Sequence, residues 1–231
     1  AAIHISIKKE GGRGIADLGL SFDKRIVMKV LSNLVVVFLL FGCYLILLLV
    51  IKAVVVVNTD WGVIGLEILK ALLFGLLFAF VEEVFFRGYI FTRLEKEIPV
   101  VPAMLAVSAF FAGLHLFRPG DLYFKSVYFV GLFLVGLILS VVYIKTRNLW
   151  MSISVHLGWI ACMYILASPV FHHNSLKLDL AVFLGMDSCP VAGISGFVVI
   201  LLTGILVLLT QTGSFNLIDG KKSDTDMVKT S

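Results

Sequence analysis

Residues 61–89 read WGVIGLEILKALLFGLLFAFVEEVFFRGY. A stretch this long and this apolar exceeds the roughly 20 residues a helix needs to cross about 30 Å of hydrocarbon. Its last third, Phe80 to Tyr89, is apolar except for Glu82, Glu83 and Arg87. An ionised side chain inside a bilayer is unfavourable by a few kcal/mol even on the most lenient scale, so such groups need a partner, water or a function. Helical geometry assigns these three different tasks. Glu83 and Arg87 are i,i+4 and share a face, the spacing at which a carboxylate and a following base pair well. Glu82 is turned by about 100° and faces elsewhere. Glu83 with Arg87 therefore reads as a structural ion pair and Glu82 as the spare carboxylate, free to act on water as a general base. The alternative is a single charge network near the interface, with Arg87 snorkelling.

Working outward, the whole chain repeats the apolar theme. It has 231 residues, 60% of them hydrophobic and 15% charged, more apolar surface than one soluble core of this size can bury. The expected class is an all-α, polytopic transmembrane bundle of about six spanning helices. The spans are expected within Ile26 to Val57, from Trp61 to about Tyr89, Val100 to Phe117, Ser126 to Ile144, Leu149 to Ala167 and Ala192 to Leu209. If they alternate, Lys8, Lys9, Arg13, Lys24, Arg25, Arg93, Lys96, Lys145, Arg147, Lys221, Lys222 and Lys229 fall on one side. Only Lys52, Arg118, Lys125 and Lys177 fall on the other, so the positive-inside rule puts both termini in the cytoplasm. The net charge of +4 is spread over loops rather than gathered on one face, which argues against a nucleic-acid partner. Cys43, Cys162 and Cys189 are too scattered for a disulfide framework or a thiolate metal site.

Three segments follow from this division: a cytoplasmic juxtamembrane stretch over residues 1–25, broken by Gly11, Gly12, Gly14 and Gly19, a membrane domain over 26–210, and a polar tail over 211–231. The start at Ala1 rather than Met suggests a processed or excerpted product with an upstream segment. The connection from His172 to Pro190 is the longest, and its apolar piece Leu180 to Leu184 is expected to dip back toward the membrane.

Two later spans carry histidines. In Ser108 to His115, Phe111 and His115 are i,i+4, so the ring can wall one side of the imidazole, and Ala112 and Gly113 let another helix approach. In Leu149 to Trp159, His156 lies about two turns in from Arg147 and Asn148, with Ser152 on its face one turn earlier. A carboxylate and two imidazoles on three neighbouring helices can hold a water, activate it and stabilise an oxyanion, the minimum for peptide hydrolysis. Zinc is the alternative occupant, since imidazole and carboxylate suit it, but no His-Glu-x-x-His helix is present and the metal-free reading is favoured.

These motifs carry a resemblance. Glu82-Glu83-Val84-Phe85-Phe86-Arg87 matches a Glu-Glu-x-x-x-Arg motif, Phe111 to His115 matches Phe-x-x-x-His, and Trp150 to Trp159 looks like a third. In that order and on separate helices, they resemble the type II CAAX prenyl protease family, also called the Abi or bacteriocin-processing family, with a four-helix core over about residues 61–167. The resemblance implies a glutamate-dependent intramembrane endopeptidase acting on a membrane-associated peptide or protein, in the plasma membrane of a prokaryote. It implies that Glu82 and His115 activate the attacking water and that His156 helps hold the oxyanion, with Glu83, Arg87 and Phe111 in support. The family usually places Asn or Asp four residues after that last histidine, where this chain has Ile160. That departure implies a slower enzyme, a substitute donor such as Ser152, a backbone amide or a water, or no peptidase activity. The runner-up function is accordingly a non-proteolytic scaffold or bacteriocin immunity protein. Depth poses a further problem: with the expected ends, upright helices would leave Glu82 and His115 at different heights. Tilt, or a second helix projecting well beyond the membrane, would reconcile them.

Overall fold

The computed structural model describes residues 19–20, 23–117, 120–174 and 193–211. Within them the chain forms α1 (Lys24–Val50), β1 (Val54–Val56), α2 (Trp61–Glu97), α3 (Val100–Leu114), α4 (Leu122–Thr146), α5 (Leu149–Leu166), β2 (Phe171–His173) and α6 (Ile194–Thr210). Four of these helices, α1, α2, α4 and α5, are long and apolar enough to cross a membrane, while α3 and α6 are shorter apolar helices. The protein is thus an all-α membrane protein. The expected juxtamembrane segment up to residue 18, the Leu180 to Leu184 dip, Cys189 and the tail from Thr212 lie outside the described residues.

Short polar side chains start most of these helices. Asp23 accepts from the Ile26 amide (2.8 Å), Asp60 from Gly62 (2.7 Å), Asp121 from Phe124 (2.7 Å) and Asn148 from Trp150 (2.9 Å). Each carboxylate or amide satisfies a backbone N–H that the first helical turn leaves without a partner. Between α4 and α5 the chain turns on Arg147, at φ 49°, and the Arg147 guanidinium grips the Glu95 carboxylate of α2 at 2.7 and 2.9 Å.

The largest difference from expectation is at the end of α2. The helix does not stop near Tyr89; it runs on to Glu97, leaving only Ile98 and Pro99 before α3. Arg93, Glu95, Lys96 and Glu97 read as loop because they are charged, but a helix that leaves the hydrocarbon can carry charge in water. The extension settles the depth problem. Glu82 stands 15 residues before Glu97, and His115 stands 15 residues after Val100, so both lie about 22 Å from the shared α2–α3 corner.

The central helix is α5, with twelve of its residues buried, His156 among them. Against it packs the α2 stripe Glu67, Ala71, Gly75, Ala79, Glu83, one residue per turn and small in the middle. Without hydrophobic drive between helices in lipid, such small residues let backbones approach and gain dispersion contacts. A Cβ on Gly75 would stand 2.9 Å from Leu157 Cδ1 and 3.1 Å from the Leu157 carbonyl, whereas one on Gly65 of the same helix meets nothing within 4 Å. Gly75→Val is therefore expected to destabilise the protein by about 1–3 kcal/mol, read as a lower melting midpoint in detergent, with Gly65→Val as the unaffected control. Equal midpoints for the two would contradict this packing. On the other flank of α5, Gly158 admits Val37 of α1, and Gly136 of α4 admits Ser108 of α3.

At the end of the bundle where α5 finishes, β1 and β2 pair antiparallel, Val54 opposite His173. There the His173 ring donates from Nε2 to the Leu166 carbonyl at 2.8 Å, closing the last turn of α5.

Candidate active site

Glu82 and Glu83 are adjacent in sequence and differ completely in surroundings. Glu83 is fully buried; its Oε1 takes a 2.7 Å bond from Arg87 Nη1 and lies 2.9 Å from His156 Nδ1. Arg87 is equally buried and donates from Nη2 to the Gly136 carbonyl of α4 at 2.9 Å, and its guanidinium lies 5.1 Å from the centre of the Phe111 ring. One carboxylate thus ties α2 to α5, and one guanidinium ties α2 to α4. Glu82 meets no donor closely. Its oxygens are 3.9 Å from His115 Nε2 and 3.6 Å from His156 Nε2, and a quarter of its side chain is open.

The two imidazoles are oriented by acceptors on their far sides. His115 Nδ1 is 2.7 Å from the Phe111 carbonyl, which can only accept, so Nδ1 carries the proton and Nε2 is left for Glu82. His156 Nδ1 faces the Glu83 carboxylate in the same manner, again leaving Nε2 toward Glu82. Phe111 walls both rings, with centroids 4.7 Å from His115 and 5.7 Å from His156. The structure therefore brings Glu82, His115 and His156 together, with Glu83, Arg87 and Phe111 behind them. Among the described residues no group of three His, Cys, Asp or Glu side chains is arranged to hold a metal ion.

A cavity of about 370 Å³ opens from this cluster. It follows one face of α5, through His156, Trp159, Ile160, Met163 and Tyr164 to Ala167, and is closed by Phe78 of α2 and by Tyr128, Leu132 and Val135 of α4. Helix α3 ends at the cluster, so nothing from it fills the space beyond His115. Beyond the cluster the walls are mainly hydrocarbon and aromatic rings. Ile160 lines this cavity, so the position where Asn or Asp is expected contributes only apolar surface. Ser152 does not replace it. Its hydroxyl donates to the Leu149 carbonyl at 3.1 Å, and the side chain is fully buried beside Glu83 rather than on the cavity wall.

Several contributors carried little sequence signal. Val84–Phe91 is wound as a π-helix, the wider turn often found beside functional residues. Thr92 supports it by donating its hydroxyl to the Gly88 carbonyl at 2.6 Å. A run of eight mostly apolar residues looks the same in either winding. Gly136 acts through its carbonyl, which no side-chain pattern announces. Glu67, buried and bonded by Lys70 at 2.7 Å, is a second polar pair in α2 that an i,i+3 search of the apolar span would have found.

Fold and cluster together define a polytopic helical membrane protein with a carboxylate and two imidazoles at the base of an apolar cavity. Residues 64–162 match the family described as type II CAAX prenyl endopeptidase Rce1-like, so this segment is similar to that family. The matched stretch contains Glu82, Glu83, Arg87, Phe111, His115 and His156. No curated protein and no solved structure matches the chain.

Proposed function

We propose that this protein is an intramembrane endopeptidase that hydrolyses a peptide bond in a membrane-associated peptide or protein, with a water activated by Glu82. The observation that carries the reading is the convergence of Glu82 with two Nε2 atoms whose rings are each held from behind, at 3.9 and 3.6 Å. These separations leave room for a water bonded to the carboxylate and to His115. In the reaction Glu82 takes a proton from this water as its oxygen attacks the scissile carbonyl carbon. The carbonyl oxygen becomes an oxyanion, which His156, carrying both ring protons, stabilises from Nε2 while Nδ1–H stays on Glu83. The tetrahedral species then collapses, the C–N bond breaks, and the proton held by Glu82 passes to the departing amine. The apolar cavity suits an apolar stretch of substrate next to the scissile bond.

One observation favours the second reading, a non-proteolytic membrane scaffold of the same fold: Ile160 withholds a polar donor from the cavity. The two readings separate in one experiment. Protein purified in detergent is incubated with a panel of labelled membrane-proximal peptides in ¹⁸O-water. Hydrolysis puts ¹⁸O in the new carboxylate of the product, detected by mass spectrometry. A panel left intact, with the protein folded, would favour the scaffold.

A further inference from the structure

The structure assigns a catalytic role to Trp159: we propose that its indole N–H is the second oxyanion donor, in the position that Ile160 leaves unfilled. The inference rests on the hydrolase reading above and deepens it. His156 has two ring nitrogens, one committed to Glu83 at 2.9 Å, so it offers a tetrahedral oxyanion a single N–H. The next cavity-facing residues on α5 are Trp159 and Ile160, and Ile160 has no donor. Trp159 is 8% exposed, lines the cavity, and among the described residues its indole N–H meets no hydrogen-bond acceptor. The nitrogen is not among the fully buried polar atoms that lack a partner, so the N–H is open rather than sealed in the core. An open indole N–H on a residue that lines the cavity can donate to a group that arrives with substrate.

Geometry allows the exchange of positions. Residue i+3 lies about 4.5 Å along the helix from His156 and about 60° to one side; residue i+4 lies about 6 Å along and 40° to the other. An indole carries its N–H farther from the backbone than a carboxamide does. A tryptophan can therefore reach the same oxyanion from the neighbouring position. The ring is also rigid and held in the core, so little reorganisation accompanies the reaction, which is what makes a preorganised donor effective.

Trp159→Phe removes the N–H and keeps a packed ring. It is expected to lower kcat by about 10²-fold with KM unchanged. Adding Ile160→Asn to Trp159→Phe is expected to recover at least about tenfold, because a carboxamide then supplies the missing bond. A second readout does not depend on turnover. In protein labelled with ¹⁵N at the indoles, with the Trp159 signal assigned through Trp159→Phe, a peptidyl phosphinate mimicking the tetrahedral anion should move the Trp159 N–H resonance downfield. A phosphinate that fails to bind, or that binds without moving this resonance, overturns the inference. So does a Trp159→Phe enzyme with wild-type kcat. The hydrolase reading fails separately, when the wild-type protein binds phosphinate with the shift but cuts no peptide.

Discussion

Glu82→Ala is expected to lower kcat/KM by about 10²–10⁴-fold, the usual contribution of a positioned general base, while leaving the protein folded with a melting midpoint near that of wild type. Both halves follow from the same surroundings. Glu82 opens onto the cavity, and its nearest imidazole nitrogens are 3.6 and 3.9 Å away, so little structure depends on it. With the carboxylate gone, the group that takes the water proton is missing, and His115 Nε2 alone remains beside the water. Glu82→Gln tests the same point with the shape retained. A carboxamide is no base, so it too should be inactive; a glutamine variant that cuts at the wild-type rate, or a biological phenotype indifferent to it, would remove Glu82 from the chemistry and leave the scaffold reading. His115→Ala should lower the rate in the same direction, since it removes the second group beside the water, and should not change the melting midpoint greatly because the one close hydrogen bond of His115 is to Phe111 of its own helix, while Glu82 of α2 is 3.9 Å away.

How much of this was legible follows from the range of each interaction. The six helices were visible because lipid imposes apolarity on every crossing helix, though α3 and α6 are shorter than the spans expected there and only four helices are long enough to cross. The separation of Glu82 from Glu83 was visible because it depends only on helical phase over five residues. What reaches across the chain was not. Glu83 and His156 are 73 residues apart, and no periodicity indicates that the scaffold carboxylate also orients the second imidazole. The continuation of α2 to Glu97 was hidden for a different reason: composition marks where a helix leaves lipid, not where it ends. Ser152 shows the limit of face arguments. It shares a side of α5 with His156 one turn away, yet that side rotates from the cavity toward Glu83 within the turn.

The dual role of Glu83 predicts that stability and activity come apart. Arg87→Ala strands the Glu83 carboxylate in the interior, and Glu83→Ala strands the guanidinium; breaking a buried pair in this way typically destabilises by about 3–5 kcal/mol. Both ends are fully buried and 2.7 Å apart, and Arg87 also serves the Gly136 carbonyl, so Arg87→Lys should not substitute: an ammonium lacks the planar fork that reaches both acceptors. The double variant Glu83→Met, Arg87→Met removes both charges and fills the space with apolar groups, a change that is often neutral or stabilising for buried pairs. Its melting midpoint in detergent should therefore rise well above that of either single variant. Its activity should not return with it, because His156 has lost the carboxylate that fixes its Nδ1–H and holds Nε2 toward Glu82. A double variant as unstable as the singles would show that the pair is needed for more than mutual compensation. A stable double variant with full activity would show that His156 needs no orienting carboxylate, and the link from Glu83 through His156 to the reacting carbonyl would have to be abandoned.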